Sequence, residues 1–342
     1  MNQSTPFIHI IGQGLAGTLL AFECLDRKIP FAIFDRGLGG ASSMVAAGMW
    51  NPISIKLMRA GWRVQDFTDQ LTKTYTRIEQ ELNLSIKHDC GIQRIFPDAF
   101  SANEWDHRSQ HPEMFPYLKE PTQNQLSGYE TPFGFGTIQG GGWVHVSLLL
   151  KSSRDHFKSL GVLHETEINH QDIQAWVEDE IQVIHATGWK AIEKSSTNRI
   201  PLVPNKGEVL TITADGLDEQ YIAHFGNFII PLGNRTFRLG ATYKPHSSDV
   251  EPTEEYKNEL LDAFQAQSFV EARLLEHQAG IRPTTRDRRP VVGKIPGTIR
   301  EYMLGGLGSK GVLLAPYFAH YLIDLIQGKC VVDEEVNPSR LI

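Results

Sequence analysis

Cysteine is scarce in this chain: Cys24, Cys90 and Cys330 are the only three in 342 residues, and no Cys-x-x-Cys pair occurs. That excludes a disulfide framework and a cysteine-based zinc site, and it fits a reducing, cytoplasmic setting. Positive charge is not in excess either. With 33 Lys and Arg against 40 Asp and Glu, the formal net charge is -7, so the chain as a whole does not attract a phosphate backbone, and nucleic acid is not the expected partner. Long apolar runs are missing too. The longest, Val312 to Ile326, is interrupted by Pro316, His320 and Asp324 and falls short of the ~20 apolar residues of a membrane span. It reads as a buried helix. The opening Met1 to Pro6 has no basic segment followed by an apolar stretch, so no secretion leader is expected. Repeats, charge runs and low-complexity segments do not occur. His107 and His111 are four apart, but Pro112 and the polar surroundings argue against a helix, and no carboxylate stands at metal spacing. Ser42 and Ser43 lack the Gly-x-Ser-x-Gly setting of a hydrolase nucleophile.

What the chain does have begins almost at its start. Ile8-His-Ile-Ile is followed by Gly12-Gln-Gly14-Leu-Ala-Gly17 and an apolar stretch through Leu25; Phe31-Ala-Ile-Phe34 and then Asp35 come next. Gly12 permits a tight turn, Gly14 lets backbone approach a pyrophosphate, and Gly17 lets the helix sit close to the strand. An acid after the second strand accepts a hydrogen bond from an adenosine ribose hydroxyl. Strand, turn, helix and acid together point to a dinucleotide, whereas the glycines alone would fit an ordinary strand-to-helix turn.

The length predicts two domains with substantial cores. After Asp35 come the small residues Gly37 to Ser43 and then Val45-Ala-Ala-Gly-Met49-Trp-Asn-Pro52, suited to close packing on a ligand or to a surface loop. Val64, Phe67, Leu71, Tyr75, Ile78 and Leu82 recur at helical spacing. Pro97 to Gly142 reads as irregular, with short strands at most. A helix is expected from Ser147 to about Leu160, then three short strands over 161–169, 173–178 and 181–186, the last closing in Ala186-Thr187-Gly188. Further strands are expected at Gly207 to Ile212, Phe228 to Pro231 and Arg235 to Thr242, and Thr253 with Glu254 and Glu255 opens a helix.

The C-terminal part carries Gly280-Ile-Arg282-Pro through Gly293, and Gly305-Gly-Leu-Gly-Ser-Lys-Gly311-Val-Leu-Leu-Ala-Pro316. With the first glycines and Ala46 to Met49, these segments resemble the FAD-dependent D-amino-acid oxidase family, and within it glycine oxidase and the flavin domain of the bifunctional enzyme that modifies wobble uridine in tRNA. The resemblance spans the whole chain. It implies an α/β fold: a Rossmann-like FAD-binding domain of the glutathione-reductase/p-hydroxybenzoate-hydroxylase type, over residues 1–52, 142–200 and 277–342. An interleaved α+β substrate domain on an antiparallel sheet takes 53–141 and 201–276.

By the same resemblance Gly12, Gly14, Leu15, Ala16, Gly17, Asp35 and Arg36 hold the ADP half of FAD. Ser42, Ser43, Ala46, Ala47, Gly48 and Met49 line its pyrophosphate, ribityl chain and ring; Ile168, at a strand end, lies near the adenine; Ala186, Thr187 and Gly188 pass beneath. Gly306, Gly308, Ser309, Lys310 and Gly311 bring a helix start to the flavin pyrimidine, where its N–H groups stabilise negative charge. Lys310 either adds charge there or is a plain exposed lysine. Arg282 holds the substrate carboxylate over the flavin, since a guanidinium makes two parallel hydrogen bonds; an ion pair with Asp287 is the alternative. Hydride passes from the α-carbon to flavin N5, and water hydrolyses the resulting imine. Arg286, Arg288 and Arg289 are expected to face solvent or pair with acids, and Trp50, Trp62 and Trp143 either wall the pocket or sit in cores.

The chain also departs from the family. Phe228 stands where relatives often place a tyrosine hydroxyl against the substrate, and Ser309 where glycine oxidase has an arginine, so Phe228, Met49 and Ser309 shape the pocket. Gly280 occupies the position where the sarcosine-oxidase branch tethers its flavin through cysteine, which implies non-covalent FAD. The expected activity is oxidation of the C–N bond of a small amino acid or N-substituted glycine. The alternatives are action on a carboxymethylaminomethyl group of tRNA, against which the acidic balance and the want of a fused methyltransferase domain speak, and a flavin-binding protein without an amine substrate.

Overall fold

The structure, a computed structural model, describes residues 7–192 and 200–342. Residues 1–6, where no leader is expected, and residues 193–199, at the end of the 142–200 segment, lie outside the described residues.

Ile8–Ile11 and Phe31–Phe34 are almost wholly apolar and buried, the pattern of strands covered on both faces. They sit side by side at the centre of a six-stranded sheet whose order is Leu163–His164, Phe31–Phe34, Ile8–Ile11, Gln182–His185, Glu301–Gly305 and Val291–Lys294. Every neighbouring pair is parallel except the last. Helices Leu15–Asp26, Val146–Ser159 and Gly311–Ile326 share a core with this sheet. The 64–82 periodicity becomes the helix Val64–Leu82, which buries Phe67, Leu71, Tyr75 and Ile78, and the Tyr75 hydroxyl donates to the Val312 carbonyl at 3.2 Å. Among the described residues no helix is long and apolar enough to cross a membrane.

The second sheet has eight strands. Ala272–Thr284, Val203–Ala214, Thr236–Gly240, Phe228–Gly233, Ile222–His224, Ile92–Ile95 and Phe135–Ile138 follow one another, and Lys244–Pro245 continues the edge beside Asn205 and Lys206. Its pairs are antiparallel except Ile222–His224 with Ile92–Ile95. Helix Glu254–Gln265 packs on this sheet, its first turn capped by the Thr253 hydroxyl.

Two expectations fail on helix caps. Residues 173–178 are not a strand: they belong to helix His170–Glu178, because Asn169 and Asp172 form a reciprocal capping box that satisfies the first free amides. Ile168 therefore lies in a loop rather than at a strand end. The 97–142 stretch likewise contains a helix, Ala99–Ser109, opened by the Asp98 carboxylate accepting from Ser101 N at 2.7 Å. His107 is in its last turn and His111 just beyond, with their Nε2 atoms 3.2 Å apart; Pro112 follows the helix rather than breaking it.

Candidate active site

A cavity of about 960 Å³ opens at the carboxyl ends of the parallel strands and extends to the second sheet, the place where open α/β sheets hold ligands. Its far end is built by the first turn. Gly12 has φ +100°, and a Cβ there would lie 2.7 Å from the Ala186 carbonyl oxygen. Gly14 starts helix Leu15–Asp26 without a side-chain cap, so the helix dipole and its early amides face the cavity. Leu15 N is the exception, donating to Ser43 Oγ at 3.2 Å. Leu15 and Ala16 also line the cavity. Gly17 does not line it; it lies against the Gly12 backbone, so closely that a Cβ would overlap the Gly12 carbonyl.

Asp35 is already held on three sides. Its Oδ1 accepts from Gly37 N at 2.7 Å and Arg154 Nη1 at 2.9 Å, and its Oδ2 from Gln13 N at 2.9 Å. A carboxylate has about four acceptor positions, which leaves one on Oδ2 for a hydroxyl. Arg154, buried in helix Val146–Ser159, also reaches Gln13 Oε1 at 2.6 Å and Glu165 Oε1 at 2.7 Å. Arg36 lines the rim and pairs with Glu167 at 3.1 Å, next to Ile168.

The middle of the cavity is formed by the small residues after Asp35. Ser42 opens a single helical turn and donates to the Ile281 carbonyl. Ala46, Ala47 and Gly48 follow, with Gly48 at φ +80° pressed against Val144. Met49–Trp50 then pairs with Gly142–Val144, so this run is a cavity wall rather than a surface loop. Ala186, Thr187 and Gly188 also line the cavity, with Ala186 and Thr187 against Gly12.

At the near end Arg282 enters from strand Ala272–Thr284. Its Nη1 donates to the Thr242 carbonyl at 3.3 Å, and it has no carboxylate partner among the described residues. Asp287 is taken instead by Arg340, at 2.8 Å. Burial pulls the Arg282 guanidinium below its ordinary pKa, and the nearby Tyr243 phenol opposes this. Phe228 and Met49 line the same end. Gly306 leads to a tight turn at Gly308–Lys310, then to helix Gly311–Ile326, whose first residues face the cavity. Ser309 and Lys310 are exposed at the mouth. The Lys310 ammonium is held below its ordinary pKa by desolvation and by Arg289, Arg288 and Arg59.

Of Trp50, Trp62 and Trp143, only Trp50 lines the cavity, where Trp189 also stands. Trp62 packs between Phe67 and Phe318 with Arg289 stacked 3.7 Å from its ring, and Trp143 stacks on His88 at 4.1 Å. Arg286 and Arg288 are exposed, and Arg289 also pairs with Glu335 at 3.4 Å. Sequence reasoning missed Gly207, Thr242, Tyr243 and Arg154. A buried arginine in an amphipathic helix is the only local signal any of them carries.

The sequence signature of the family described as FAD dependent oxidoreductase (DAO) matches residues 8–325. The chain belongs to this family. Among curated relatives of this flavoenzyme, glycine oxidase of Bacillus licheniformis is 26% identical, covering 97% of this chain and 95% of its own. The tRNA 5-methylaminomethyl-2-thiouridine biosynthesis bifunctional protein of Marinobacter nauticus is 24% identical over 94% of this chain. The flavoenzyme chain spans 56% of that relative's length. The crystal structure of iminodiacetate oxidase from Chelativorans superposes with a TM-score of 0.75 at 18% identity, covering 97% of this chain and 98% of that one. An FAD-dependent oxidoreductase of α/β architecture is therefore the coarse identity of the molecule.

Proposed function

We propose that this protein oxidises the C–N bond of a small amino acid or N-substituted glycine, with FAD held non-covalently. The observation that carries the reading is Arg282, a largely desolvated guanidinium with no carboxylate partner among the described residues, in the same cavity as the glycine turn. An unpaired cation away from water is costly, and a substrate carboxylate removes that cost. The relatives named glycine oxidase and iminodiacetate oxidase support the same substrate class.

When bound, FAD supplies a hydride acceptor at its N5. Gly12, Gly14 and the start of helix Leu15–Asp26 would hold its pyrophosphate and Asp35 its ribose. Residues Ser42 to Met49 would flank the ribityl chain and ring, with Ile168 near the adenine. No cysteine lines the cavity, which supports non-covalent binding. We assign 1–52, 142–200 and 277–342 to the FAD-binding unit, and 53–141 with 201–276 to the substrate unit.

Arg282 fixes the substrate through its carboxylate and so orients the α-carbon. Met49, Trp50 and Phe228 keep that end of the cavity apolar, which favours a neutral amine. Its lone pair forms the C=N bond as the hydride leaves, so no side-chain base is needed. The helix start at Gly311, with Lys310 beside it, would favour negative charge on the flavin if its pyrimidine lay there.

Anaerobic titration with a panel of amines tests the reading: glycine, an N-substituted glycine or a small amino acid bleaches the flavin, and a panel that leaves it yellow overturns it. A second reading keeps the chemistry and places the N-substituted glycine on tRNA, favoured by the bifunctional relative. A salt-titrated tRNA gel shift separates the two.

The ADP end carries its own prediction. Arg154→Met removes one donor from Asp35 Oδ1 and leaves Asp35 held by Gly37 N and Gln13 N alone, so the ribose acceptor is less firmly fixed and FAD Kd is expected to rise about tenfold. Fluorescence of released flavin on dilution measures it. An unchanged Kd removes Arg154 from any role in positioning Asp35.

A further inference from the structure

We propose that Gly207 is a positioning residue for the substrate carboxylate: it is the bare stretch of strand on which the Arg282 guanidinium rests. This inference rests on the reading of Arg282 as the carboxylate clamp. In the antiparallel pair of Val203–Ala214 with Ala272–Thr284, Gly207 is opposite Gly280 and Asn205 is opposite Arg282. Gly207 and Arg282 are thus diagonal neighbours on one face of the sheet, within reach of a long side chain. Arg282 crosses that diagonal. A Cβ at Gly207 would fall inside the guanidinium, overlapping Cζ, Nη1 and Nη2 together.

Conformation does not explain the glycine, because Gly207 is not among the residues at positive φ. Space does. The neighbouring contacts fix the cation further. Thr242, whose carbonyl accepts from Arg282 Nη1, is tied to the residue after Gly207: Thr242 N donates to the Glu208 carbonyl at 3.2 Å, and Glu208 N to Thr242 Oγ1 at 2.9 Å. The guanidinium therefore has a floor and one fixed edge.

The closest acid in sequence to this floor does not neutralise the cation. Glu208 is fully buried, and its carboxylate is engaged by Lys206 at 3.0 Å, His277 at 2.7 Å and Thr253 N at 3.0 Å. Successive strand residues point to opposite faces, so Glu208 turns away from Arg282. A glycine on the cavity face and a saturated acid on the other keep the remaining guanidinium N–H groups free for a ligand.

Gly207→Ala displaces only the far end of a flexible side chain, so the variant is expected to fold and load FAD like the parent. Two parallel hydrogen bonds tolerate little displacement, and KM for a carboxylate-bearing amine should rise about thirtyfold while kcat changes less. The dissociation constant of acetate, read from perturbation of the flavin absorption rather than from turnover, should rise in parallel. In an Arg282→Ala background the same substitution should add less than about twofold, because both act through one group.

An unchanged KM and acetate affinity in Gly207→Ala, with Arg282→Ala impaired, overturns the positioning role and leaves the clamp standing. No effect of Arg282→Ala itself overturns the underlying reading. Full additivity in the cycle overturns the inference as well. Should Gly207→Ala alone fail to fold, the double variant decides: with the guanidinium gone it folds, and if it does not, Gly207 has another role.

Discussion

Arg282→Ala is expected to raise KM for carboxylate-bearing amines by about a hundredfold or more while FAD stays bound. Truncating one partner of a desolvated, hydrogen-bonded charge pair costs about 2–5 kcal/mol, and 2.7 kcal/mol is about a hundredfold. The setting favours the upper part of that range. The guanidinium is largely removed from water, and Nη1 is occupied by the Thr242 carbonyl alone, so nothing in the protein replaces the substrate's two oxygens. Lysine at this position restores charge without the fork and should recover only part of the loss. The measurement is steady-state kinetics with matched amines that have or lack the carboxylate: the first series loses KM and the second does not. Equal KM for parent and variant across the first series removes Arg282 from substrate binding.

How much of this was legible beforehand depends on how local each cause is. The Gly12 to Gly17 turn could be read because every requirement falls within one strand, one turn and one helix. The helix Val64–Leu82 could be read because its apolar positions repeat along a single face. Arg282 drew attention only through family resemblance, since a guanidinium next to Pro283 in a strand has no local mark of a ligand site. Gly207 was invisible for a stronger reason. Its meaning comes from a diagonal neighbour that is far away in sequence and is placed by strand register, and register is set by the whole sheet. The same holds for Arg154, which meets Asp35 across 119 positions of sequence separation. The helix His170–Glu178 was missed because its alternation of apolar residues is also compatible with a strand, and the Asn169 capping box outweighs that pattern.

The glycine turn permits a sharper experiment, because its glycines are required for different reasons. A Cβ at Gly17 overlaps the Gly12 carbonyl, a backbone atom that has no flexible end to swing aside, and Gly12 itself is held at φ +100° against Ala186. Gly17→Ala must therefore push helix Leu15–Asp26 off the strand, an overpacking cost on the order of 3 kcal/mol. The protein should lose thermal stability even without cofactor and be isolated free of FAD. Gly14 differs. A Cβ there meets only Ser43 Oγ, at an ordinary 3.5 Å, so the protein alone has room for it. Gly14→Ala should leave the apoprotein's melting temperature within about 2 °C of the parent while weakening FAD by about a hundredfold, through exclusion of the pyrophosphate from the backbone. Apoprotein melting and FAD titration of the two variants separate the roles: both properties fall in Gly17→Ala, and only affinity falls in Gly14→Ala. If Gly14→Ala binds FAD as tightly as the parent, the pyrophosphate does not lie over this turn, and the placement of the cofactor along the cavity has to be redrawn from Asp35 onward.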